Sequence, residues 1–148
     1  MFAPKQILVP TDFSGYSDKA LENAIDIAKK ENATIEILHV IDIVQTCSVD
    51  YCFDQQTLDQ IEENSTSASK EQIAKQIDRI PGAKSVSITT VIRKGTPYEE
   101  ILKEEVEKKI DLIIIASHGK TGLMHYLIGS VAGKVIKGAK CPVLLVKK

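Results

Sequence analysis

The sequence predicts an α/β domain built on a mainly parallel β-sheet. Short apolar, β-branched runs alternate along the whole chain with longer segments of helical spacing, which is the pattern of repeated strand–helix–strand units. Two of the apolar runs, Leu112–Ala116 and Val143–Val146, lack any polar residue, as expected of strands that are covered on both faces. With 148 residues and no evident linker or repeat, we expect one domain, residues 1–148.

Five strands are predicted from these runs. The third run interleaves serine and threonine with its apolar residues, which is typical of a half-exposed edge strand. The segment from Asp42 to Asp54 is irregular, and we expect a loop or an insertion there. The predicted strands are Gln6–Val9, Thr34–Ile41, Val86–Ile92, Leu112–Ala116 and Val143–Val146.

Four helices are predicted between the strands, each with an apolar stripe of period near 3.6. The second, from Gln55 to Ile80, is the weakest because Asn64-Ser-Thr-Ser interrupts its apolar positions. The stripes of the other three are Ala20, Leu21, Ala24, Ile25 and Ala28, then Tyr98, Ile101, Leu102 and Val106, then Leu127, Val131, Val135 and Ala139.

Composition narrows the possible functions. The net charge is −1, so no basic field favours nucleic acid or an anionic membrane as a partner. No apolar run approaches the roughly 20 residues of a membrane span, and the amino terminus lacks the pattern of a signal peptide. The cysteines Cys47, Cys52 and Cys141 are too few, and odd in number, for a disulfide framework, and the first two are not spaced for zinc. We expect a cytoplasmic protein, with Cys141 as a packing residue.

A glycine-rich segment follows the fourth predicted strand. In open parallel sheets, ligands bind beyond the carboxyl ends of the strands, where successive connections diverge. Gly119 allows the chain to turn away from the strand, Gly129 allows an anion to approach the main chain, and Ser130 is a natural helix N-cap. A phosphate suits such a helix terminus. The spacing alone leaves phosphate binding and a purely structural turn or cap role equally open.

Known phosphate loops and catalytic motifs do not fit. Gly129-Ser-Val-Ala-Gly-Lys-Val is one residue short of a P-loop and has Val135 where serine or threonine should hold magnesium, and GxGxxG is absent. The sequence shows no nucleophile elbow and no paired acid and base at a recognisable spacing. We therefore expect a binding protein without catalytic residues, with slow ATP hydrolysis as an alternative.

Several motifs together resemble the universal stress protein family from end to end. They are Lys5-Gln-Ile-Leu-Val-Pro-Thr-Asp-Phe-Ser, Leu38-His-Val-Ile-Asp, Gly95-Thr-Pro-Tyr-Glu-Glu-Ile, and the closing Gly129-Ser-Val with Cys141-Pro-Val-Leu-Leu-Val. The family's nucleotide-binding members carry Gly-x2-Gly-x9-Gly-Ser/Thr. This chain has Gly119, nine residues, then Gly129 and Ser130, with Ala116 at the position of the first glycine.

The resemblance implies an open five-stranded parallel sheet in the order 3-2-1-4-5, with helices on both faces, as in the adenine nucleotide alpha hydrolase-like fold. It also implies ATP, ADP or AMP, with Mg²⁺ accompanying the nucleotide, between strands one and four. Asp12 would lie near ribose, phosphate or magnesium, and the Val40 main chain would bond adenine. The implied binding residues are Pro10, Thr11, Asp12, Val40, Ala116, Ser117, His118, Gly119, Lys120, Gly129, Ser130 and Val131.

Each of these residues also has a plainer interpretation. Asp12 could be only the N-cap of the first helix, as could Ser14 or Ser17. Ala116 would be strained if its backbone needed a positive φ, but the apolar strand leading into it favours β geometry. His118 could contact phosphate or be a bystander. We expect His39 to be structural and His125 to face solvent.

The resemblance further implies a homodimer paired through the last strand, because an uncovered apolar edge invites another chain. It leaves a second function open, since the family includes members that dimerise without nucleotide. The first hypothesis is a nucleotide-binding stress protein whose occupancy sets its conformation or partners. The second is an interaction protein of the stress response that works without nucleotide.

Overall fold

A computed structural model describes residues 1–42, 54–119 and 128–147. Lys120, His125, Leu127, Cys47 and Cys52 lie outside these ranges, as does most of the predicted loop before the second helix. None of the helices within the ranges combines the length and apolar character needed to cross a membrane. The elements are β1 (Gln6–Pro10), α1 (Gly15–Glu31), β2 (Thr34–Asp42), α2 (Gln55–Arg79), a 3-10 turn (Ala83–Ser85), β3 (Ser87–Gly95), α3 (Pro97–Glu107), β4 (Leu112–Ala116), α4 (Ser130–Gly138) and β5 (Val143–Val146).

The five strands form one parallel sheet in the order β3-β2-β1-β4-β5, which confirms the predicted fold. β1 lies in the middle, where Ile7 pairs with Ile35 of β2 on one side and with Leu112 of β4 on the other. β3 is an edge strand whose side chains are mostly half-buried or exposed, as its serines and threonines predicted. β5 forms the opposite edge.

Helices cover both faces of the sheet because side chains alternate between the faces along each strand. α1 and α2 pack on one face, and α3 and α4 on the other. The buried strand residues of the α1 face include Ile7, Val9, Ile35, Ile37, Leu112 and Ile114, and those of the α3 face include Leu8, Leu38, Ile113 and Ile115.

Two carboxylates fix connections between the elements. Asp111 accepts the backbone N–H groups of Lys5 and Gln6, both at 2.9 Å, and so ties the start of β4 to the start of β1. Glu105 of α3 is 4% exposed. It accepts the N–H groups of Lys140 and Cys141, both at 2.7 Å, before β5.

Cys141 is a packing residue, as predicted. Its side chain lies against the α3-face core. Burial, reinforced by the contact with Glu105, raises the pKa of the Cys141 thiol to about 12, so the thiol stays protonated at neutral pH.

A buried pair of carboxyl groups lies beneath α3. Glu36 of β2 is 7% exposed and Glu104 of α3 is 0% exposed. Arg93 of β3 donates hydrogen bonds to Glu104 and also pairs with Glu107 at the surface. Burial, followed by the hydrogen bond to Glu104 and the charge of Glu104, raises the pKa of Glu36 to about 7. Glu36 is therefore a glutamate that titrates near neutrality inside the fold.

Candidate functional site

A crevice opens between the carboxyl ends of β1 and β4. The connection after β1 leads to α1 on one face of the sheet, whereas α4 lies on the other face. The register between β1 and β4 extends over Ile7 with Leu112 and Leu8 with Ile113, beyond which the two strands diverge. This is the switch point at which open α/β sheets bind ligands.

The loop that follows β1 is held by its own hydrogen bonds. The Thr11 N–H donates to the Leu38 carbonyl at 2.9 Å, and the Phe13 N–H donates to Thr11 Oγ1 at 3.1 Å. The Ser14 N–H donates to Asp12 Oδ1 at 3.0 Å. Phe13 has a φ of 65°, a left-handed conformation that costs a residue with a side chain on the order of 1 kcal/mol. Such strain persists only where the surrounding contacts impose it.

Asp12 is not the N-cap of α1. That role belongs to Ser14, whose hydroxyl accepts the Ser17 N–H at 3.3 Å. The second carboxylate oxygen of Asp12 lies against Gly119, where an added Cβ would be only 2.4 Å away. The loops after β1 and β4 therefore meet through Asp12 and Gly119.

Ala116 adopts the ordinary strand geometry predicted for it. It is the last residue of β4, and its φ is not among the positive values found for non-glycine residues of the described chain. Its methyl group belongs to the α1-face core and is 9% exposed. The alanine at the first glycine position of the motif is therefore accommodated without backbone strain.

α4 begins one residue earlier than predicted, since Ser130 was expected to be its N-cap. The helix runs from Ser130, so Gly129 is the N-cap and Ser130 is the first helical residue. The first intrahelical bond joins the Gly133 N–H to the Gly129 carbonyl at 2.9 Å. The N–H groups of the first turn have no acceptor within an α-helix, so those of Ser130 and Val131 point out of the helix end.

Gly129 is a residue of close approach and not of a left-handed turn. Its φ is −57°, which any residue can adopt. Its N–H donates to the Ser117 carbonyl at 2.7 Å, and an added Cβ would lie 3.1 Å from that same oxygen. The start of α4 is thus drawn against the end of β4, and a side chain at Gly129 would push the two apart.

Val40 presents main-chain groups to the crevice. β1 ends opposite Leu38, whose carbonyl accepts the Thr11 N–H. Backbone groups point alternately to the two sides of a strand, so the N–H and carbonyl of Val40 point to the same side as those of Leu38. That side lies beyond the end of β1. A donor and an acceptor therefore face the crevice from β2.

Two histidines border the same loop. His39 Nδ1 lies 2.8 Å from the Thr11 carbonyl oxygen. Because a carbonyl oxygen has no proton to donate, this nitrogen is the donor. The centroid of the His39 ring lies 4.3 Å from that of the Phe13 ring. His39 thus has the structural role that was predicted. His118 Nδ1 lies 2.9 Å from Ser117 Oγ, and its ring centroid is 6.0 Å from that of Tyr16, which places His118 at the mouth of the crevice.

The structure brings together the described residues of the predicted site. Three segments converge on the crevice, one after β1, one after β4 and one at the start of α4, and Val40 faces it from β2. The Thr11 hydroxyl is buried and bonded to Gln76 of α2 at 2.9 Å, a residue that the sequence analysis did not select. Gln76 could have been noticed as a polar residue on the apolar stripe of Ile73, Ile77 and Ile80.

These features define an open, doubly wound α/β domain with a crevice at the switch point of its sheet. Residues 4–147 match the Universal stress protein family. The chain belongs to that family.

Similar proteins agree with this assignment along most of their lengths. Universal stress protein MJ0531 of Methanocaldococcus jannaschii is 37% identical over 144 residues, which cover 97% of this chain and 82% of that protein. The solved structure of MJ0577, from the same organism, superposes with a TM-score of 0.83 at 30% identity and covers 100% of this chain and 98% of that one.

Two solved structures of the same fold contain nucleotides. One is a universal stress protein in complex with cAMP, with a TM-score of 0.72, 23% identity and coverage of 98% of both chains. The other is the universal stress protein of Archaeoglobus fulgidus in complex with dAMP, with a TM-score of 0.65, 19% identity and coverage of 99% of this chain and 100% of that one.

Proposed function

We propose that this chain binds an adenine nucleotide, ATP with Mg²⁺ in the first place, in the crevice between β1 and β4. The observation that carries the proposal is the presence of main-chain hydrogen-bonding groups at both ends of the crevice. Val40 offers a donor and an acceptor at one end, and the first turn of α4 offers donors at the other. Complexes of related folds with cAMP and dAMP support an adenine nucleotide as the ligand.

The phosphate end is formed by the start of α4. The N–H groups of Ser130 and Val131 lie at the positive end of the helix dipole, and Ser130 is exposed. Hydrogen bonds to charged oxygens contribute about 1.5–3 kcal/mol each, so a few of them account for most of a micromolar affinity. Gly129 supports this arrangement by keeping the helix end close to Ser117.

Asp12 is the residue that would hold the Mg²⁺ of a bound nucleotide. Its carboxylate lies at the end of β1 beside Gly119, and Mg²⁺ prefers carboxylate and phosphate oxygens. The metal would supply charge neutralisation for the phosphates. The hydrogen bond from Ser14 to Asp12 Oδ1 fixes the direction of the carboxylate, which suits a ligand residue.

We also propose that the protein is a cytoplasmic homodimer that pairs through β5, with nucleotide occupancy setting its conformation or its partners. β5 is an edge strand, and its Leu144 is 38% exposed. An apolar edge of this kind favours pairing with a second chain. The same observation favours the second candidate function, a dimeric interaction protein that works without nucleotide.

Two measurements separate the candidates. Protein purified without added nucleotide is denatured, and the released small molecules are identified by chromatography and mass spectrometry. Calorimetric titration with ATP–Mg²⁺, ADP, AMP and cAMP then gives the affinities. An adenine compound in the released fraction, or saturable binding in the micromolar range, supports nucleotide binding. A well-folded dimer that releases nothing and binds none of the four ligands would refute it and favour the second candidate.

A further inference from the structure

A buried polar network connects α2 to the loop after β1. Gln76 lies on α2 and is 0% exposed. Its Oε1 accepts the Thr11 hydroxyl at 2.9 Å, and its Nε2 donates to Asp18 Oδ1 at 2.7 Å and to Ser17 Oγ at 3.3 Å. Arg79, one turn further along α2, donates two hydrogen bonds to the Asp18 carboxylate at 2.9 and 2.7 Å.

The position of Gln76 does not require a polar side chain for packing. Ile73, Ile77 and Ile80 line the same side of the chain and pack against the α1-face core. An apolar residue at position 76 would continue this stripe. A buried amide contributes nothing by burial alone and is tolerated because its partners satisfy it. The hydrogen bonds of Gln76, and not its packing, therefore explain why this position carries a polar side chain.

Thr11 is the point at which the network reaches the crevice. Its hydroxyl lies 2.9 Å from Gln76 Oε1 and 3.0 Å from Ser17 Oγ, which itself accepts from Gln76 Nε2, and its oxygen accepts the Phe13 N–H at 3.1 Å. Phe13 is held in a left-handed conformation. Asp12 lies between these two residues, so the direction of its carboxylate depends on the bonds that fix both neighbours.

We propose that Gln76 is a positioning residue for nucleotide binding, because it holds the loop of Thr11 and Phe13 in the shape that directs Asp12 into the crevice. This inference rests on the proposed function. It gives α2 a role in the site, although no residue of α2 belongs to the family motif that the sequence carries.

The first test replaces Gln76 with methionine, which is similar in length, apolar and compatible with a helix. The matched control is Gln72→Met, an exposed glutamine one turn earlier on α2. We expect Gln76→Met to weaken ATP–Mg²⁺ binding about tenfold in calorimetric titration, since one fixed hydrogen-bonding contact is lost. We expect Gln72→Met to bind like the wild type. Equal affinities for all three proteins would overturn the inference and leave nucleotide binding intact.

A double-mutant cycle separates positioning from a general structural role. If Gln76 acts through Asp12, then Asp12→Ala and Asp12→Ala/Gln76→Met bind with the same affinity, because the second change has nothing left to displace. Additive losses of affinity would show that Gln76 affects binding independently of Asp12 and would overturn the inference. A wild type that binds no ATP–Mg²⁺ refutes the proposed function, and with it the inference.

Hydrogen exchange on the wild-type protein tests the inference without any variant, in case Gln76→Met folds poorly. ATP–Mg²⁺ should slow amide exchange both in residues 11–14 and in the second half of α2, from Ile73 to Arg79. α3 serves as the internal comparison and should change little. Protection of residues 11–14 without any change in α2 would overturn the inference.

Discussion

The buried glutamate Glu36 makes the stability of this protein depend on pH in a defined direction. Its pKa is raised from the ordinary 4.5 to about 7, by burial first and then by the hydrogen bond and charge of Glu104. Lys108 and Arg93 act in the opposite direction. In the unfolded chain the group ionises near its ordinary value, so between pH 4.5 and 7 the folded protein holds a proton that the unfolded chain has released.

The sign and the size of the effect follow from this difference. The stabilisation is fully present below pH 4.5 and is lost as the pH rises through about 7. A difference from 4.5 to about 7 corresponds to about 3 kcal/mol at most, at about 1.36 kcal/mol per pKa unit. The two nearby cations already enter the value of about 7, and relaxation around the charged form reduces the difference further, so we expect about 1–3 kcal/mol.

Glu36→Gln tests the prediction, because glutamine keeps the shape of the side chain and stays neutral. We expect the variant to match the wild type at pH 4.5 and to exceed its free energy of unfolding at pH 8 by about 1–3 kcal/mol. Urea denaturation followed by circular dichroism at pH 4.5, 6 and 8 measures the difference. The exposed Glu63→Gln is the matched control and should show no such trend.

A difference between Glu36→Gln and the wild type that stays constant from pH 4.5 to 8 would refute the reasoning. It would mean that the carboxyl group of Glu36 has the same protonation in the folded and unfolded states. A variant that is less stable than the wild type at pH 8 would show that the charged form is favoured inside the fold, through Arg93.

Four further changes have defined outcomes. Gly119→Ala should weaken ATP–Mg²⁺ binding in calorimetry with a small change in melting temperature, because its Cβ meets the side chain of Asp12 and displaces that carboxylate. Gly129→Ala should lower the free energy of unfolding by about 1–3 kcal/mol without nucleotide, because its Cβ meets backbone; an unchanged urea midpoint would contradict this. Glu105→Gln should lower the free energy of unfolding by about 1–3 kcal/mol at pH 7, again measured by urea denaturation. Leu144→Lys should shift the protein towards monomer in sedimentation, and an unchanged dimer would exclude β5 as the interface.

The sheet was predictable because its signals are local. The apolar runs gave all five strands to within a few residues, and the polar residues of Val86–Ile92 correctly indicated an edge. The order of the strands came from the family resemblance and was confirmed. The hydrophobic periodicity alone does not predict the strand order, because that order depends on which face of the sheet each connecting helix crosses.

The second helix shows where local signals were too weak. Asn64-Ser-Thr-Ser interrupts its apolar positions in the sequence, yet α2 is continuous from Gln55 to Arg79. Thr66 and Ser69 direct their hydroxyls to the carbonyls of Glu62 and Ser65, at 3.0 and 2.8 Å, so the polar side chains are satisfied within the helix. Most residues in the first half of α2 are exposed to solvent, where polar side chains are favourable.

The site was predictable as a set of segments but not in its supporting contacts. The motif selected Asp12 and Gly119 from their neighbours in sequence, and the fold brings them together. Gln76 acts across 65 residues of sequence, and its bond to Thr11 exists only once α2 has packed on α1. No spacing rule relates two such positions.

Gly119 and Gly129 are required for different physical reasons, although a single spacing pattern describes both glycines. Gly119 faces a side-chain carboxylate and not backbone, so a side chain there displaces Asp12, the proposed ligand residue, more than it disturbs the fold. Gly129 faces the Ser117 carbonyl, a backbone atom that can move only if β4 and α4 separate. A glycine at position 129 would therefore be required even in a member of the family that binds no nucleotide, whereas a glycine at position 119 would not. For this chain, the presence of Gly119 beside Asp12 is the more specific indication of a binding site.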